Sequence, residues 1–66
     1  MTTYTARHAA RHHVRRGTVT NSPYTGTEVA VIAARENGKN VEIKPESGHE
    51  FTVDWNWKLW TRRRRG

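Results

Sequence analysis

Cysteine is absent from this 66-residue chain. Neither disulfides nor a cysteine-ligated zinc can staple it, and nothing in a disulfide framework argues for secretion. No apolar run approaches the roughly 18 residues of a membrane span. The opening MTTYTARHAARHHVRR carries charge but no apolar stretch of the secretory kind. A soluble cytoplasmic protein with no membrane association is the expectation. Hydrophobic residues make up only 33% of the chain. A domain of this size buries only about 60% of its unfolded surface, so nearly every large apolar side chain is needed inside.

Signs of catalysis are also scarce. Gly17, Gly26, Gly38 and Gly48 stand at separate bends, so no glycine-rich phosphate loop forms. The acids are scattered, without the spacing of a paired-carboxylate site. Ser22 and Ser47 sit in turn contexts, where serine is expected anyway. No enzyme, cofactor or small-molecule substrate is indicated. His8 and His12 are four apart, and on a helix they would share a face. Arginines flank them and no third ligand stands at a fixed distance, so no metal is expected. Phosphate contact by protonated histidine, or no role at all, fits better. His49 lies in a turn with no evident partner.

Acid is missing from the first 27 residues, which carry Arg7, Arg11, Arg15 and Arg16. All six acids fall between Glu28 and Asp54. The end is basic again, with Lys58 and the run Arg62, Arg63, Arg64 and Arg65. A mildly acidic middle between two basic ends suits a chain that meets a polyanion. Guanidinium grips phosphate bidentately and keeps its charge at any working pH.

Residues 1–13 read as a basic arm, mobile when free, since AARHHVRR is too short for a stable helix alone. VRRGTVT (14–20) is rich in β-branched residues and reads as a strand, with Gly17 marking a bulge or close backbone approach. NSPYTG is a loop with Tyr24 at its centre. EVAVIAAR (28–35) is apolar in both phases and reads as a buried strand or buried helix segment. The Asn37-Gly38 that follows is a hairpin signal of type I′, which favours the strand. In NVEIK, Val41 and Ile43 point inward. After a turn at 45–48, apolar residues recur at every second position: Phe51, Val53, Trp55, Trp57 and Leu59. That is one half-buried strand, or two joined by a tight turn. In this phase Trp55 and Trp57 belong to the core, and Trp60 falls on the other face.

Four to five short strands with tight turns predict an all-β fold, a small antiparallel barrel at 14–60 with a tail at 61–66. Closure would remove the exposed edges. A strand, a loop, a tight hairpin and a last strand region together resemble the SH3-like barrel. Within it, VRRGTVT, Gly26 and EVAVIAA resemble the KOW and Tudor-type modules. The Lys-Gly pair of KOW loops is missing, its place taken by Tyr24-Thr25-Gly26. The resemblance implies partners among RNA, DNA, ribosomal or transcription machinery, and methylated or proline-rich peptides. It also implies that the first and last strands lie side by side. His12, His13, Arg15 and Arg16 would then approach Trp60 and Arg62–Arg65.

Two functions follow as expectations. In the first, the basic ends bind DNA or RNA, with weak sequence selectivity. Arg7, Arg11, Arg15, Arg16 and Arg62–Arg65 contact phosphates, while Trp60 and Tyr24 stack on bases. In the second, the chain docks on a host protein complex such as RNA polymerase or the ribosome. Its size and arginine bias are similar to those of small accessory proteins of actinobacterial phages.

Overall fold

The computed structural model describes residues 2–62. Strand β1 (Thr2–Thr5) leads directly into the helix α1 (Ala6–Arg11). Then come β2 (Thr18–Asn21), β3 (Glu28–Asn37), β4 (Asn40–Pro45), β5 (Phe51–Asp54) and β6 (Lys58–Thr61). All pairings are antiparallel, and the sheet order is β1-β6-β2-β3-β4-β5. The fold is thus antiparallel β with one short helix. The sheet does not close on itself: β1 and β5 remain at its two ends.

The expected N-terminal arm is instead part of the scaffold. Thr2–Thr5 pairs with β6 in the register Thr3↔Trp60 and Tyr4↔Leu59. Thr5 caps α1, its hydroxyl accepting from the His8 amide at 3.1 Å. Ala6 and Ala9, three apart, share one helix face and are almost wholly buried. Their small side chains let α1 lie close against β3 and β4. A six-residue helix is unstable alone. Here the cap and the buried alanines hold it. The strand expected at 14–20 begins only at Thr18, because residues 15–18 turn, with the Thr18 amide donating to the Arg15 carbonyl.

The core is Ala6, Ala9, Val31, Val41, Ile43, Phe51, Val53 and Leu59, with Tyr4, Val14, Val29, Ala34 and Trp57 packed around it. Val41 and Ile43 are fully buried, as the alternation in NVEIK predicts. The two-phase apolar run in β3 has a specific cause. Val31 pairs with Pro45 and Ala33 with Lys44, so Ile32 is an extra residue, a bulge. Val29 and Val31 face inward before it, and Ala34, opposite Ile43, faces inward after it. The bulge inverts the phase and leaves Ile32 exposed, so β3 is not buried on both faces.

The β3–β4 hairpin is present, but its turn is not the expected type I′. Asn37 pairs with Asn40, so the central residues are Gly38 and Lys39. Gly38 has φ of +64°, and no residue other than glycine has a positive φ among the described residues. That sign pattern is the one of a type II′ turn.

The period-two run at 51–59 is two strands. Asp54 accepts from the Trp57 amide at 3.0 Å, and the chain turns through Trp55 and Asn56. The turn takes Trp55 out of the core phase.

Candidate nucleic-acid interface

Directly paired residues on neighbouring strands project from the same face of a sheet. Leu59 and Tyr4 face the core together. The alternate set, Thr3, Trp60, Val19 and Ala30, forms one row across β1, β6, β2 and β3 on the opposite face. Trp60 is half-buried there and Val19 beside it is buried, although neither joins the main core. Trp60 therefore lies on the outer face, as its phase predicts, paired across strands with Val19 and partly open to solvent. By strand alternation Lys58 and Arg62 share this face.

Two segments far apart in sequence meet at one end of the row. The Arg62 amide donates to the Gly17 carbonyl at 2.9 Å, extending the β2–β6 pairing beyond Thr61. Gly17 has φ of +89°, and a Cβ there would meet the Arg62 carbonyl oxygen at 3.4 Å. The close backbone approach read from this glycine is real. It sets the backbone that follows Arg15 and Arg16 against that of Arg62. The rest of the run, Arg63 to Arg65, lies outside the described residues. Arg62 is partly engaged, its Nη1 2.7 Å from the Glu28 carboxylate. Arg15 and Arg16 are exposed and have no ion-pair partner among the described residues.

The other candidate residues are placed elsewhere. Arg11 makes a bidentate contact with Glu36 on β3, at 2.8 and 3.1 Å. Hydrogen bonding from Arg11 holds the Glu36 carboxyl below its ordinary range, and the same contact raises the Arg11 pKa. Arg7 lies over the Trp55 ring, with 4.4 Å from guanidinium carbon to ring centroid. Trp55 is 40% exposed, so the expected core indole is instead a surface platform for a cation. Trp57 is half-buried, its Nε1 donating to Thr20 Oγ1 at 2.9 Å. The Thr20 hydroxyl in turn donates to the Lys58 carbonyl at 2.7 Å. Tyr24 is 78% exposed at the far end of β2, edge-on to Phe51. It is separated from Arg15 and Arg16 by the length of that strand.

Trp57 and Trp60 together line a shallow cleft of about 470 Å³ with Asn21, Asp54, Asn56 and Lys58. Sequence reasoning passed over Lys58 because it reads as a solvated strand residue. Its place two residues before Trp60 is the signal that would have found it. Among the described residues no three histidine, cysteine or acidic side chains group to hold a metal ion. No helix among them is long and apolar enough to cross a membrane. In comparisons with known proteins, no family model, no curated protein and no solved structure matches the chain.

Proposed function

We propose that this chain is a small nucleic-acid-binding module with an SH3-like arrangement of strands. The order β6-β2-β3-β4-β5, with the first strand of the meander beside the last, supports that arrangement. β1 and α1 are additions to it. The observation that supports the function is the Arg62–Gly17 backbone hydrogen bond, which brings the segment carrying Arg15 and Arg16 beside the residue that opens the C-terminal arginine run. Arg15, Arg16 and Arg62, continued by Arg63–Arg65, contact successive phosphates. Trp60 offers its exposed side to a base, since base–aromatic stacking tolerates any sequence. With about four to six phosphate contacts, affinity falls roughly two to three decades between about 50 and 200 mM salt. A flat salt response overturns the reading.

A second reading, docking on a larger protein machine, is favoured by the β5 edge, which ends the sheet order without a partner strand among the described residues. Capture from lysate with and without nuclease separates the two. Partners lost with nuclease support the first reading, and a stoichiometric protein that survives supports the second.

A further inference from the structure

Between β1, α1 and the segment leading to β2 lies an open groove of about 690 Å³, lined by Thr3, Tyr4, His8, His12, His13 and Arg15. Three of the four histidines of the chain meet here, and no carboxylate among the described residues lines it. The rings are stepped: Tyr4 to His8 at 5.6 Å between centroids, His8 to His12 at 4.3 Å. The Tyr4 hydroxyl is already engaged with Thr18 Oγ1, so it fixes the wall of the groove. The nearby acid, Glu36, is held by Arg11. Among the described residues that line the groove, the uncommitted titratable or charged groups are thus His8, His12, His13 and Arg15, each a donor or a potential cation. An anion seated between His8, His12 and Arg15 would meet hydrogen-bond donors from three side chains of this groove.

We infer that this groove is a phosphodiester site whose grip depends on histidine protonation. It adjoins the arginine end through Arg15 and rests on the proposed nucleic-acid reading. Histidine changes charge between about pH 5 and 8, whereas a phosphodiester keeps its single negative charge and arginine stays cationic. Arginine contacts therefore operate at all pH values, and the groove adds contacts only as the imidazoles gain protons. Binding strengthens as pH falls.

The test is binding of oligothymidylate, whose bases do not titrate in this range, from about 50 to 200 mM salt at about pH 8 and about pH 5.5. The slope of log affinity against log salt should steepen on acidification by roughly 0.7 for each histidine that gains a phosphate, about 2 for all three. At about 100 mM salt the affinity should rise at least about tenfold. His8→Gln/His12→Gln/His13→Gln should keep the alkaline affinity and lose the change in slope. His49→Gln should behave as the unaltered chain. A pH-independent slope in the unaltered chain, or a pH effect that survives in the triple variant, overturns the inference.

A second measurement separates this site from the proposed function. Sulfate, whose charge is fixed over the same range, is added against chloride at equal ionic strength near pH 6, and the imidazole C–H resonances are followed by NMR. Saturable shifts at His8, His12 and His13 but not His49 support the groove, even if no oligonucleotide binds and the nucleic-acid reading falls. Equal shifts at all four, or none, overturn the groove.

Discussion

The two ends of the β2–β3–β4 meander differ in charge. At one, His12, His13 and Arg15 line a common groove, Arg16 follows in sequence, and the Arg62 backbone is bonded at Gly17 while its side chain reaches Glu28. At the other, the loops 22–27 and 46–50 meet around Tyr24, Phe51, His49 and Glu50, with Glu46 close by and no arginine or lysine in either loop. Both ends rest on one core, so the difference lies in what the strands deliver to each. Cations from opposite ends of the chain are delivered to the same place because β6 returns to lie between β1 and β2. On the proposed reading, a ligand of negative charge would be steered to the first end rather than the second.

The most severe way to break this contrast is to remove its shared support. Ile43→Ala should cost about 2–5 kcal/mol. Whole-domain stability is about 0.05–0.15 kcal/mol per residue. Chemical denaturation should show both ends lost in one transition. Arg15→Glu/Arg16→Glu keeps the fold and reverses the cationic end, so oligonucleotide affinity should fall about a hundredfold near 100 mM salt. Glu46→Gln/Glu50→Gln at the opposite end should leave it within about twofold, and equal effects at the two ends would abolish the distinction.

Trp60→Ala should weaken binding by about 1–3 kcal/mol if a base stacks on it, while Tyr24→Ala changes binding little. Circular dichroism distinguishes lost binding from lost fold. Trp57→Phe removes the indole N–H from Thr20 and should cost about 0.5–1.5 kcal/mol of stability without changing the salt slope.

The smallest effect concerns Arg11 and Glu36, both solvent-exposed. Glu36 is lowered in the folded state, so its contribution is present above the ordinary carboxylate range and is lost as pH falls through the folded value. Glu36→Gln should lower the melting temperature slightly at neutral pH and leave it unchanged in strong acid.

The β3–β4 hairpin (though not its turn type, nor that the turn falls one residue later, at 37–40), the inward Val41 and Ile43, and the outer phase of Trp60 were legible because each depends on neighbours in sequence. The side chain period of a strand is two, and a glycine permits a turn whatever the surroundings. Trp55 was misplaced because a tight turn and a continuing strand share the same apolar spacing until the backbone hydrogen bond from Trp57 to Asp54 decides between them. Ile32 concealed a bulge inside an unbroken apolar run.

The charge asymmetry, the antiparallel strands and the requirement for glycine at position 17 were set by the order of residues alone, since these rest on local geometry and composition. Only the folded chain decided that Thr2–Thr5 is a strand and Ala6–Arg11 a helix. Neither segment is stable by itself, and each forms because a distant partner, β6 for one and the β3–β4 surface for the other, replaces the water its backbone or alanine face would otherwise meet. The same long-range pairing put three histidines around a groove and two basic segments side by side, an arrangement that no local rule contains.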